Sequence, residues 1–408
     1  RLGWEIVSTG GTANLLRAEG VKVTTVDSVT GFPEILDGRV KTLHPGVHAG
    51  LLARPDSPEH MRQLLEHRIE RFDLVAVNLY PFQATIADPQ VLMSDAIENI
   101  DIGGPSVLRS AAKNYEFVLP VVEPRDYARV IALLEQGAIP LDVRREFAAK
   151  VFTHTADYDN AIAGYLTPPS DALPDRVTLA MERRQHLRYG ENPTQRAGLY
   201  ATEEPRGIGD LTQRQGKELS FNNLLDLDGA MVAVAAWKHR VACAIIKHTT
   251  PCGIALGRSA VEAFTAARGT DPVSAFGSVV AFNTVVDRAA AEAMADLFVE
   301  VVVAPAFHTD ALDVFATMKN LRVVELPVPA GHGHLDWKRI RGGFLIQDAF
   351  VFDPDETAWQ VPTVRQPTAA EFDALRFAWA AVGTVKSNAI LLAQGEQAIG
   401  IGAGQMSR

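Results

Sequence analysis

Apolar and polar positions along the chain follow two periods. Short, nearly continuous apolar runs bounded by turn residues predict buried strands: FDLVAVNLYPF (72–82), VLPVVEP (118–124), ACAIIKH (242–248), VSAFGSVVAF (273–282), VEVVVAPAF (299–307) and RVVELPV (322–328). Between them, stretches such as RREFAAKVFTHTADYDNAIAGYL (144–166) and AAEFDALRFAWAAVGTV (369–385) carry apolar residues at helical spacing. WEIVSTGGTANLLRAEGVKVTTV (4–26) reads as strand, Gly-rich loop, short helix closed by Gly20, then strand. IDIGGPSVLRSAAKN (100–114) reads as a loop entering a helix, with Pro105 suited to the first turn. This alternation predicts an α/β fold with a largely parallel sheet in the first part and a second α/β region after it. The proline-rich TPPSDALPDR (167–176) is the expected linker, which sets the domains at 1–166, with a linker over 167–178, and 179–408. PAGHGHLDW (329–337) reads as a loop, and AIGIG (398–402) as a strand.

At 408 residues the chain can hold two or three cores, and its formal net charge of -10 disfavours general binding to nucleic acid or membrane surfaces. Two cysteines are too few for a disulfide framework and fit a reducing compartment. No apolar run approaches the length of a membrane span. The start, RLGWEIVSTGG, and the end, GIGAGQMSR, both read as incomplete.

Four stretches could carry chemistry. In STGGT, Gly10 and Gly11 let backbone amides converge at a helix start while Thr9 and Thr12 add hydroxyls, which suits a phosphate; a plain strand-to-helix turn is the commoner explanation of so short a motif. In LDGRVKTLHPGVHAG, Arg39 and Lys41 stand one strand period apart and could face one anion, with Val40 between them and Thr42 beside them; a solvated basic loop is the alternative. His44 and His48 mimic a metal-binding helix pair, but Pro45 and the missing Glu break that pattern. Asn78, Tyr80, Asp101 and Lys113 could share acid–base work, although each alone is more often structural. Lys247 and His248 end an apolar run, and a desolvated lysine beside a histidine can pass a proton. Adjacent strand residues face opposite ways, so the strand is expected to end at or before Lys247, with Thr249–Gly253 as a turn that re-aims both side chains. PCG is half of a zinc deaminase signature, but Ala255 stands where the second Cys belongs and no H-x-E precedes it.

In order along the chain stand STGGTA, TGFPEILDGRVKTLHPGVHAGLLA, NLYPF, NIDIGGPSVLRSAAKN, LRYGENP, KHTTPCG, DPVSAFG, RGGFLIQD, VKSNAI and GIGAGQMSR. Together they resemble the bacterial type of the bifunctional purine-biosynthesis family, AICAR transformylase/IMP cyclohydrolase. The resemblance implies a methylglyoxal-synthase-like N-terminal domain and cytidine-deaminase-like transformylase units that use no zinc. It implies formyl transfer from formyl-tetrahydrofolate to the amine of aminoimidazole carboxamide ribonucleotide (AICAR), then dehydrative ring closure to inosine monophosphate.

By motif, Thr9, Gly10, Gly11, Thr12, Arg39, Val40, Lys41 and Thr42 would hold phosphate and sugar. Val77, Asn78, Asp101, Ile102 and Gly103 would flank the base, with Lys41, Tyr80 and Lys113 near the closing ring. Arg188 and Tyr189 would bind AICAR, His248 would take the amine proton, and Lys247 would stabilise the transition state. Gly277, Glu300, Asn388 and Arg408 would contact substrate. A cytoplasmic homodimer with shared transformylase sites is implied, and a monovalent cation, bound in parts of the family, is a further candidate. The family's leading Ser- and Lys-bearing loop and its C-terminal folate-binding segment are missing from this stretch. Thr194, Thr250, Ser278, Ala380, Gly383 and Thr384 depart from the family pattern, mostly in the transformylase half, which leaves a nucleotide-binding protein with only cyclohydrolase activity as the alternative.

Overall fold

The computed structural model describes residues 3–168, 173–202, 207–328, 335–349, 352 and 356–406. The chain divides into two compact units, Arg1–Thr178 and Leu179–Arg408. In the first, β1 (Val7–Ser8) and β2 (Thr24–Thr25) pair in parallel around α1 (Gly10–Ala18), which is the expected strand–helix–strand unit. Helices α2 (Val26–Thr30), α3 (Pro45–Leu52) and α4 (Pro58–Glu66) follow. β3 (Leu74–Ala76) pairs in parallel with β4 (Leu119–Val121), and α5 (Phe82–Ile86), α6 (Met93–Glu98) and α7 (Gly103–Lys113) lie between them in the chain. α8 (Tyr127–Glu135) and the long α9 (Leu141–Leu166) complete the unit.

Its core joins Val47 and Leu51 of α3, Leu108 and Ala111 of α7, Val75 of β3 and Val151 of α9. The strand expected over 72–82 is much shorter. Only Val75 of β3 is buried, and the chain leaves the ladder after Val77, whose amide still donates to the Val121 carbonyl at 3.0 Å. Polar Asn78 and Tyr80, and Pro81 without an N–H, give no reason to extend it.

The second unit starts with a hairpin of β5 (Glu182–Leu187) and β6 (Ala197–Ala201). Its centre is an eight-stranded sheet. In chain order its members and the helices between them are β7 (Thr212–Gln215), α10 (Phe221–Ala235), β8 (Val241–Lys247), β9 (Thr250–Gly257), α11 (Ala260–Thr270), β10 (Ser278–Phe282), α12 (Arg288–Met294), β11 (Val299–Ala304), α13 (Thr309–Ala316) and β12 (Arg322–Glu325). A separate hairpin, β13 (Leu335–Ile340) and β14 (Gly343–Asp348), precedes α14 (Ala369–Val382), β15 (Ile390–Gln394) and β16 (Gln397–Gly402). The strand order is β15-β16-β9-β8-β10-β11-β12-β7; β10, β11 and β12 run parallel and the other pairings are antiparallel.

The alternation in β8 explains the layering. Cys243 and Ile245 join Phe264 of α11, Met294 of α12 and Phe315 of α13 on one face. Ala242, Ala244 and Ile246 join Leu227 and Met231 of α10 and Phe377 of α14 on the other. Apolar side chains on both faces produce a near-continuous apolar run rather than an alternating one. Burial of each large side chain contributes about 1.5–3 kcal/mol.

Thr250–Gly257 is strand β9, so the turn is only His248-Thr249 rather than Thr249–Gly253. Leu335–Trp337 lie in β13 rather than in a loop, and 329–334 fall outside the described residues. β9 also shows how tightly sheet and helix pack, since a Cβ on buried Gly253 would run into the Ala267 carbonyl of α11. Gly253→Ala should cost about 1–3 kcal/mol by overpacking, read as a lowered urea midpoint. An unchanged midpoint would mean that α11 yields without strain.

Candidate active site

In the first unit Thr9, Gly10 and Lys41 come together at the start of α1. Thr9 precedes α1 with extended backbone and no side-chain cap bond, and Gly10 takes φ 54°. A Cβ on Gly10 would stand 3.2 Å from the Lys41 Nζ, so this lysine lies against the first turn of α1. Lys41 pairs with Glu34 (Nζ to Oε1, 3.1 Å), and the Thr9 hydroxyl donates to the same carboxylate at 3.5 Å. Glu34 was not foreseen in the sequence, since nothing in PEIL marks it as a partner of a lysine seven positions on. The Thr42 hydroxyl would stand 2.9 Å from a Cβ on Gly103, which places it at the start of α7. The adjacent residues Lys41 and Thr42 thus lie against the starts of α1 and α7 respectively, where amide donors and a positive charge suit a phosphorylated ligand.

Arg39 and Lys41 do not project from a strand. Leu36–Gly38 is a short 3-10 turn, Ile35 and Val40 form a single bridge, and Arg39 pairs with Glu98 of α6. Asp101 caps α7 through the Gly104 amide (2.8 Å), and Tyr158 of α9 accepts the Asp101 amide (2.8 Å) and donates to the Asn99 carbonyl (3.1 Å). Burial pushes the Tyr158 phenol above its ordinary range. Tyr158 is a second residue that local reading missed, because it acts from 57 positions away. Asn78 accepts from the Tyr127 hydroxyl at 3.0 Å, Tyr80 is exposed, and Val77, Gly11, Thr12 and Ile102 sit beside these groups in the chain.

Lys113 is not brought to this region. It ends α7, about 15 Å along the helix from Gly103 at 1.5 Å per residue, where it lines a groove with Arg109, Arg145 and Phe152. The two histidines weighed as metal ligands are engaged elsewhere: His44 Nδ1 accepts the Gly46 amide at 3.1 Å, and His48 Nδ1 meets the Ser110 hydroxyl at 2.8 Å. Burial holds the His48 imidazole below its ordinary value.

In the second unit, β8 ends at Lys247 and pairs it with Thr250, leaving a two-residue hairpin turn. Both turn residues are left-handed, His248 at φ 54° and Thr249 at φ 62°. Such turns favour Asn-Gly; a β-branched Thr there costs of order 1–3 kcal/mol. The turn frees the chain from strand alternation, so Lys247 and His248 both line one cavity of about 400 Å³, with Cys252, Asp271 and the Gly400–Ala403 segment. Lys247 Nζ donates to the Phe276 carbonyl at 3.0 Å, next to Gly277 at φ 74°. Burial pushes the Cys252 thiol up to about 11, so it stays protonated near neutral pH rather than attacking as a thiolate.

Glu300 of β11 accepts from Asn223 (3.0 Å) and lies 3.8 Å from Arg322. The segment carrying Asn388 is tied to the chain end by Gln405 N to Asn388 O (3.2 Å) and Gly404 N to Lys386 O (2.7 Å). Arg188 stacks on Tyr189, 4.8 Å from guanidinium to ring, beyond the residues lining the cavity. Arg408 lies outside the described residues. Among the departures, Ser278 is buried and satisfied by the Ala275 carbonyl (2.7 Å), Thr384 bonds the Ala381 carbonyl (2.8 Å), and Ala380 is fully buried, where a lysine could not sit unpaired.

The geometry defines a class: a two-unit α/β protein with a lysine at a helix start in one unit and Lys247 and His248 lining one cavity in the other. Residues 1–106 match the model of the MGS-like domain and residues 111–408 that of the AICARFT/IMPCHase bienzyme. The bifunctional purine biosynthesis protein PurH of Halalkalibacterium halodurans is 49% identical over 411 residues, covering 99% of this chain and 80% of that protein. The crystal structure of ForH is 40% identical over 41% of this chain and 88% of its own, with a TM-score of 0.38. The chain belongs to the AICARFT/IMPCHase bienzyme family. It is a bifunctional enzyme of the two final steps of purine biosynthesis, AICAR formyl transfer and closure to inosine monophosphate.

Proposed function

We propose that the two chemistries are divided between the two residue sets described above. In the second unit His248 removes a proton from the AICAR amine as its nitrogen attacks the formyl carbon of formyl-tetrahydrofolate. The formyl carbon–folate nitrogen bond breaks, and the folate nitrogen leaves carrying a proton. Lys247 stabilises the charge that develops on the formyl oxygen. An aromatic amine is a poor nucleophile, so it needs both a base in reach and a polarised acceptor. Arg188, Tyr189, Gly277, Glu300, Asn388 and Arg408 bind the substrates. The observation that carries the reading is the two-residue turn that brings Lys247 and His248 to one cavity.

In the first unit Thr9 to Thr12 and Arg39 to Thr42 grip the phosphate and sugar, while Val77, Asn78, Ile102 and Gly103 flank the base. Ring closure joins the carboxamide nitrogen to the formyl carbon and loses water, so positioning dominates and Lys41, Tyr80 and Asp101 assist proton transfer. The enzyme works as a cytoplasmic homodimer whose partner completes each transformylase site. Among the described residues no helix is long and apolar enough to cross a membrane.

The test supplies purified protein with AICAR and formyl-tetrahydrofolate while following folate and inosine monophosphate. Tyr80→Phe should slow ring closure and leave formyl transfer at the wild-type rate. If transfer falls with it, the division between the two sets is wrong.

A further inference from the structure

The turn that carries His248 places a β-branched threonine where such turns take glycine. Both positions are left-handed, neither is glycine, and the internal bond from the Thr249 hydroxyl to the His248 carbonyl (2.7 Å) does not reach the turn's outer amide. That amide is held from outside: Thr249 N donates to Asp226 Oδ1 of α10 at 2.6 Å. One helical turn further on, Gly229 lets α10 come close, since a Cβ there would stand 3.1 Å from the Thr249 carbonyl. The same helix reaches Glu300 through Asn223 at 3.0 Å. Asn223 and Asp226 are three positions apart, so they share a helix face. Burial pushes the Asp226 carboxyl up, opposed by the Thr249 amide and by His248, while Glu300 adds to the rise.

We propose that Asp226 is a positioning residue for formyl transfer, whose carboxylate holds the His248–Thr249 turn through the Thr249 amide and so aims the His248 imidazole. The proposal rests on His248 as the proton acceptor. A hydrogen bond to a charged acceptor is stronger than one between neutral groups, which suits a contact that must hold an unfavourable backbone. Gly229 and Asp226 act together, the glycine by permitting the approach and the carboxylate by fixing it.

Small misplacements of a catalytic group cost up to about 10²-fold in rate, so Asp226→Ala should lower kcat for formyl transfer by about 10- to 100-fold, with KM for AICAR little changed. Asp226→Asn, which keeps an acceptor without the charge, should lose less than Asp226→Ala. Ring closure of supplied formyl-AICAR should be unaffected in both, which also checks folding. Adding Thr249→Gly to Asp226→Ala should restore much of kcat, because glycine takes the left-handed turn without help. A wild-type kcat in Asp226→Ala, or a loss that Thr249→Gly does not relieve, overturns the proposal. His248→Ala is assayed alongside. If it keeps full transfer, the base assignment itself fails; if it is inactive while Asp226→Ala is unaffected, only the positioning role fails.

Discussion

His248→Ala should lower formyl transfer to AICAR by about 10²- to 10⁴-fold, the usual contribution of a positioned general base. The side chain is exposed at the tip of a two-residue turn, so its removal leaves no cavity in the core and stability should hardly change. Lys247 would remain in place, donating to the Phe276 carbonyl, so polarisation of the formyl oxygen would survive without the proton acceptor. The loss should therefore appear in kcat more than in KM, measured by release of tetrahydrofolate. Ring closure of supplied formyl-AICAR should continue at the wild-type rate. Transfer at full rate in the variant would remove His248 from the mechanism.

The second large effect belongs to the first unit. Lys41→Met keeps the apolar stem of the side chain and removes the charge that lies against the first turn of α1 and pairs with Glu34. Without it, Glu34 would face the helix start and any incoming phosphate with no cation to offset it. Ring closure should fall by about 10²- to 10³-fold, as when one preorganised electrostatic contact is lost. Formyl transfer should be spared. Ring closure at the wild-type rate would show that Lys41 serves only to neutralise Glu34.

What the sequence disclosed depends on the range of the interaction concerned. The strand–helix–strand opening was legible because Gly10 and Gly20 punctuate it, and both adopt positive φ. The core of β8 was legible because apolar side chains line both of its faces. β9 was not: Thr-Thr-Pro-Cys-Gly looks like turn chemistry, and pairing with β8 overrode that local preference. Arg39 and Lys41 looked like one strand face, but each found a different acid, Glu98 and Glu34. Lys113 shares a helix with Asp101's cap and still lies at its opposite end, which spacing alone would have shown once the helix was taken as unbroken. Glu34, Tyr158 and Asp226 were missed for one reason: their partners stand 7, 57 and 23 positions away, and no periodicity links them.

The central claim is that two independent residue sets run two successive reactions. Its most direct test mixes the His248→Ala and Lys41→Met proteins with AICAR and formyl-tetrahydrofolate and follows inosine monophosphate. Each variant alone should form almost none, and the mixture should form it readily, one protein supplying formyl-AICAR and the other closing it. A mixture as inactive as its components, with either variant deficient in both reactions, would contradict the account.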